Sequence, residues 1–321
     1  LIISVIYFYL KIKLRFFVYG FSLFIYKMRN TTIGLFMKND VARDISYATS
    51  ANGLIGELFI RSIENITGRI GLIKRAKDYD KEVAKGRNFW EVIVERYNVE
   101  MNIVEGSLDD IPKKGPVVIV SNHPFGILDG LLLGYILSKT RKDFKIVANR
   151  VFRKAKDLDD VILPISFEEN REGNIQNINT RNEAILFLKS GGIVGIFPGG
   201  TVATSAKLFS RPLDPFWKRF TSKLILKSDA TVVPIFFGGS NSRLFQIASH
   251  MSYNLRMALL IREFGRKVDR KVDVAIGKKI DSKYLQKYSK DLDGMMEYLR
   301  VQSYALSNDP NQTFENGLYL G

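Results

Sequence analysis

Within Val117–Gly130 (VVIVSNHPFGILDG), two residues have the types and spacing for acid–base chemistry: His123 and, six positions on, Asp129. The chain has two histidines and no cysteine, so thiolate chemistry is excluded and any activating imidazole is His123 or His250. A histidine whose ring is held by a carboxylate can take the proton of an attacking hydroxyl. On a continuous helix, residues six apart point about 240° away from each other. The pair can therefore meet only across a folded loop, which Pro124 and Gly126 favour. The same spacing fits a solvent-exposed turn in which Asp129 starts a helix and complements its dipole. Spacing alone leaves both readings open. His250 lies in IASHMSY, a mixture of apolar and polar residues that suits a structural histidine.

A base of this kind needs a strand to deliver it. The β-branched run Val117–Val120 reads as a buried strand that empties into Ser121-Asn122-His123. Further strands are predicted over Met101–Val104, Phe144–Ala148, Val161–Ile165, Ile193–Phe197, Thr231–Phe237 and Val272–Ile276. Helices are predicted over Gly130–Ser138, Thr180–Lys189, Phe216–Lys227, Arg256–Phe264 and Ser282–Leu306. Such alternation specifies an α/β fold, a mainly parallel mixed sheet flanked by helices. Four predicted strands end in Gly, Pro, Asn or a basic residue: SNHPFGILD, ANRVFRK, FPGGTVATS and PIFFGGSNSR. Ligands bind at the carboxyl ends of strands in open α/β sheets, so four such exits imply one shared pocket.

Before the sheet, Asp44–Asn98 reads as helical, with Leu54, Ile55, Leu58, Phe59, Ile63, Ile66 and Ile70 at steps of three and four and a second helix over Tyr79–Tyr97. The expected organisation is an apolar and basic N-terminal segment (1–40), a helical prelude (41–100), the α/β domain (101–308) and a polar, frayed tail (309–321). The N-terminal segment is rich in Leu, Ile and Phe, yet Lys11, Lys13 and Arg15 interrupt it. Each would cost roughly 2.5–3.5 kcal/mol at the centre of a membrane-spanning helix. The expectation is a membrane-facing interfacial segment, or an extension upstream of a start at Met28 or Met37. The basic residues follow the apolar run and no small-residue cleavage site appears, which argues against a signal peptide.

The 321 residues carry a net charge of +15, which calls for a polyanionic partner. No nucleic-acid-binding module is present, and basic residues scattered singly among apolar ones suit an anionic membrane surface better than a nucleic-acid groove. Two histidines without cysteine make a metal site improbable. GGSNS at Gly238–Ser242 misses the nucleophile elbow at its last glycine, and GGIVGIFPGG matches neither dinucleotide nor P-loop patterns.

NHPFGILD, followed by FPGG and then VVPIFFGG, resembles the glycerolipid (lysophospholipid) acyltransferase family, closest to its bacterial hemolysin-like and lyso-ornithine-lipid branch. The resemblance runs from about Asp44 to Leu306 and implies transfer of a fatty acyl group from acyl-carrier protein or coenzyme A, as co-substrate, to a lipid hydroxyl. No cofactor or metal is implied, nor any nucleic-acid partner; the implied location is the cytoplasmic face of the inner membrane. His123 would be the base and Asp129 its partner, with five residues between them where the usual family motif has four. Asn122, Asn149, Arg150, Phe197, Pro198, Gly199, Gly200 and Thr201 would contact substrate, with Arg150 on an anionic head group and backbone N–H groups near Gly199-Gly200 facing the oxyanion. The family's FPEG block lacks its acid here, at Gly199, which leaves the acceptor open. A lipid hydrolase, or a non-catalytic lipid- or nucleic-acid-binding protein of the same fold, is the alternative.

Overall fold

The computed structural model describes residues 46–48, 51, 53–149, 152, 156–166 and 170–319, which belong to one unit, Val41–Gly321. The expected N-terminal segment 1–40 and Arg150 lie outside the described residues.

Four helices lead into the sheet: α1 (Leu54–Ile66), α2 (Arg69–Ala76), α3 (Tyr79–Val83) and α4 (Phe89–Arg96). The single helix expected over 79–97 is two, because Gly86 turns the chain at φ 89° and Asn88 starts a new helix by accepting the N–H groups of Trp90 and Glu91. The apolar stripe of α1 does not all face the core. Ile60 is buried, whereas Leu54, Ile55, Phe59 and Ile66 are exposed.

The strands are β1 (Glu100–Glu105), β2 (Val117–Ser121), β3 (Phe144–Asn149), β4 (Ile162–Ile165), β5 (Ile193–Ile196), the short pair β6 (Thr204–Ser205) and β7 (Pro212–Leu213), then β8 (Thr231–Phe237) and β9 (Lys271–Ile276). Between them run α5 (Ile127–Thr140), α6 (Lys156–Asp159), α7 (Arg171–Lys189), α8 (Arg219–Ser228), α9 (Arg243–Met251) and α10 (Tyr253–Gly265), with α11 (Ser282–Leu285) and α12 (Leu292–Tyr304) after β9. The seven-stranded sheet has the order β1-β9-β8-β2-β5-β3-β4. Its five strands from β8 to β4 are parallel, β9 runs antiparallel to β8, and β1 is parallel to β9. The expected mainly parallel mixed sheet is therefore present, with the exits of β2, β3, β5 and β8 on one edge.

The central strand β2 explains the layering. Val117 and Ile119 join the core formed with Trp90, Leu128, Leu132 and Phe264, while Val118 and Val120 join that of Leu188, Leu224 and Leu299. Alternate side chains of a strand point to opposite faces, so helices cover the sheet on both sides. Asn170 and Ser242 cap α7 and α9. They extend the former to 19 residues and begin the latter, which hydropathy alone does not reveal.

The tail is not frayed. Arg211 donates to the Asn311 carbonyl and the Asp309 carboxylate, and the buried Arg300 guanidinium takes the carbonyls of Phe314 and Glu315. The N–H groups of Gly317 and Leu318 then donate to Asp214 and Thr204. Two guanidinium groups, that of Arg300 buried, and the edge of the β6–β7 pair supply partners that a solvated tail would take from water.

The link from β2 to α5 turns at Gly126, whose φ of 96° and ψ of −112° no residue with a Cβ adopts readily. Gly126→Ala should lower stability by about 1–3 kcal/mol in chemical denaturation, because the added Cβ also meets Leu260 and Val202 at 3.3 Å.

Candidate active site

His123 leaves β2 with its main chain held on both sides. Its N–H donates to Asp214 Oδ1 at 3.1 Å, and its carbonyl accepts the Ala203 N–H at 2.8 Å. The ring lies parallel to that of Phe197, with centroids 4.3 Å apart and planes inclined by 24°. Nδ1 is 2.9 Å from Asp129 Oδ2, close but not aligned as a straight hydrogen bond. Misalignment of this kind is common at catalytic contacts before substrate binds. The His123 side chain is 18% exposed and Asp129 is fully buried, so reagents reach the imidazole and not the acid.

Asp129 also occupies the first turn of α5, where Oδ2 accepts the N–H groups of Phe125 at 2.8 Å and Gly126 at 2.9 Å. The aspartate starts the helix, and from that position its Oδ2 lies 2.9 Å from His123 Nδ1. The chemistry open to such a pair is proton removal from a hydroxyl or water.

The predicted contact residues divide. Phe197 stacks on His123, and Gly199 is buried beside Asp214. Pro198 accepts the Lys218 N–H through its carbonyl. Asn149 is the last residue of β3, opposite Ile165. Asn122 bridges to β8: its Nδ2 donates to the Phe237 carbonyl at 2.9 Å and its Oδ1 accepts the Phe237 N–H at 2.8 Å. Buried between β2 and β8, the amide completes the main-chain ladder. The Gly200 N–H donates to the Phe197 carbonyl at 3.0 Å and is spent on that turn rather than offered to an oxyanion. Thr201 Oγ1 accepts from Arg256 at 3.1 Å. His250 is structural, with Nε2 2.9 Å from the Ser205 carbonyl. Ser242 caps α9 and donates its hydroxyl to Glu263, as a helix-start residue and not a nucleophile.

Three ionisable residues near His123 carried no sequence signal. Asp214 is fully buried, and its Oδ2 accepts the Trp217 indole N–H at 2.9 Å. Burial pushes its carboxyl up to about 6, against the Trp217 and His123 N–H bonds, which favour the ionised form. Arg256 on α10 reaches Thr201, Val202, Thr204 and Ser249, and burial lowers its guanidinium to about 10. Lys267 sits 4.2 Å from the centre of the Phe125 ring, its ammonium lowered by burial. Only contact across long sequence separations reveals these three.

The raised carboxyl of Asp214 has a stability consequence. Its neutral form is preferred in the fold, so its contribution is present below pH 3.8 and lost as pH rises through about 6. The stability of the wild type relative to Asp214→Asn should fall between pH 4 and pH 6, by on the order of 3 kcal/mol, and stay flat above. Urea titrations of both proteins across that range read the difference.

With this geometry in hand, comparison with known proteins bears on the chemistry. Residues 103–238, which carry His123, Asp129 and the FPGG exit, match the family model described as Acyltransferase. A lyso-glycine lipid O-acyltransferase of Bacteroides thetaiotaomicron is 25% identical over 69% of this chain and 80% of its own length. The same-named protein of Phocaeicola vulgatus is 26% identical over 63% of this chain and 71% of its own. Among solved structures, the 1-acyl-sn-glycerophosphate acyltransferase PlsC of Thermotoga maritima is 17% identical, with 78% of this chain and 93% of that one covered at a TM-score of 0.41. The exits of β2 and β5 lie within the segment that matches the Acyltransferase family model, and over about two thirds of its length the chain is similar to lyso-lipid O-acyltransferases.

Proposed function

We propose that His123 is the general base of an acyl transfer from a thioester, acyl-carrier protein or coenzyme A, to the hydroxyl of a lyso-lipid, and that Asp129 orients it. The observation that carries this reading is the contact of Nδ1 with the buried Oδ2 of Asp129 at the exit of β2. With Nδ1 facing the acid, Nε2 is the nitrogen that takes the acceptor's proton. The hydroxyl oxygen bonds to the thioester carbonyl carbon, the carbon–sulfur bond then breaks, and the imidazolium returns its proton to the departing thiolate. No further cofactor takes part.

For the acceptor, an amino-acid lyso-lipid of the lyso-glycine type is favoured over lysophosphatidic acid or another glycerophosphate. The two relatives are named for lyso-glycine lipid, and Gly199 lacks the acid that the family's FPEG block carries. The reaction takes place at an anionic membrane, on the cytoplasmic face, because a lipid acceptor resides there. The outward stripe of α1 supports this, with Ile55 86% and Ile66 84% exposed, and Ile70 of α2 beside them in sequence. No helix among the described residues is long and apolar enough to cross a membrane. An amphipathic face of this kind lies in the interface instead.

Incubation with a labelled acyl thioester and a panel of lyso-lipids, read by mass spectrometry, tests the chemistry. His123→Ala should lower kcat about 10²–10⁴-fold with the fold intact. Asp129→Asn keeps an oxygen for the Phe125 and Gly126 N–H groups, so it should slow turnover while leaving KM nearly unchanged. Transfer by His123→Ala at close to the wild-type rate would sink the assignment. For the membrane, Ile55→Asp with Ile66→Asp should weaken co-sedimentation of the full chain with anionic vesicles at least about tenfold, and added salt should weaken it further. Unchanged sedimentation would remove α1 from the contact.

A further inference from the structure

We propose that Asp214 is a positioning residue of the acyl-transfer site: from the end of β7 it fills the space beside Gly199, fixes the main chain of His123 and presents a second negative charge to it. The proposal rests on His123 acting as the base.

Two carboxylates meet His123 from different sides. Asp129 faces the ring, and Asp214, 91 residues away in sequence, accepts the main-chain N–H. The aspartate is itself held from three directions. Its N–H donates to the Tyr304 hydroxyl at 2.8 Å, its carbonyl accepts the Gly317 N–H at 2.8 Å, and Trp217 donates to Oδ2. An acceptor for two N–H groups need not be ionisable, because an amide oxygen would serve without the cost of burying a charge. Neither hydrogen bond to this carboxylate comes from a cation. A buried carboxylate that interacts electrostatically with His123 favours the imidazolium that forms when the ring takes the acceptor's proton, and so acts mainly in the transition state.

Gly199 supplies an independent observation. A Cβ built there would meet Asp214 Cβ and Cγ at 3.4 Å and Oδ2 at 3.5 Å. The backbone at Gly199 is not in the left-handed region, so nothing in its conformation requires glycine. A side chain at 199 would therefore start in ordinary contact with Asp214, so the two positions adjoin and either could carry a carboxylate into this space.

The test is a swap read by steady-state kinetics on the full chain. Asp214→Asn should lower kcat at least tenfold, leave KM for the acyl thioester and the lyso-lipid within twofold, and unfold at no lower urea concentration than the wild type at pH 8. A merely structural aspartate would instead lose stability and keep its kcat. Asp214→Ala should be at least as slow, and the double variant Gly199→Glu/Asp214→Ala should recover fivefold or more of the lost kcat. Asp214→Asn with kcat within twofold of the wild type, or a folded double variant no faster than Asp214→Ala, overturns the proposal. An active His123→Ala variant would instead overturn the general-base reading beneath it.

Discussion

One carboxylate oxygen organises the site. Oδ2 of Asp129 accepts the N–H groups of Phe125 and Gly126 and lies 2.9 Å from the His123 ring. The two amides belong to the unpaired donors at the start of α5, and such caps contribute typically about 1 kcal/mol. Leu128, Leu132 and Ile136 of the same helix are fully buried in the core against the sheet. The position of Asp129 is therefore tied to the packing of α5, and a shift of that helix would carry the acid away from the imidazole.

The sheet sets the rest of the geometry. Because β8, β2 and β5 are parallel neighbours, their exits open on one edge, and His123 stands between the loops that follow the other two. Asn122 locks one side through its paired bonds to Phe237, and Phe197 stacks on the ring from the other. Around this frame lie buried groups that a purely structural interior would avoid: Asp129, Asp214 and Arg256. Burying them opposes folding unless their partners are nearly complete. The segment 201–204 shows the coupling. Arg256 holds Thr201, Val202 and Thr204, while Ala203 between them donates to the His123 carbonyl.

The surface divides along the same lines. The interior of α1 is apolar at Ile60 but carries the buried Glu64, held by Ser46 and the Tyr47 N–H, whereas its outer stripe is apolar without a protein partner among the described residues. A helix with two apolar faces has one for the protein and one left open to a further partner.

Strand and helix types were legible in the sequence because they depend on local period. The β-branched run of β2, the alternation of apolar strands with amphipathic helices, and the glycine, proline, asparagine or basic residues at the exits all act within a few residues. His123 was legible by elimination, since the chain has only one other histidine. The contacts that make the site were not. That Asp129 starts a helix beside the His123 ring, that Asn122 bridges to β8, that the Gly200 N–H is spent on its own turn, and that the tail docks on β6 and β7 were decided by tertiary packing. Asp214 is the clearest case. No spacing rule connects it to His123, because a hydrogen bond across 91 residues is fixed by where β7 lies once the core has closed.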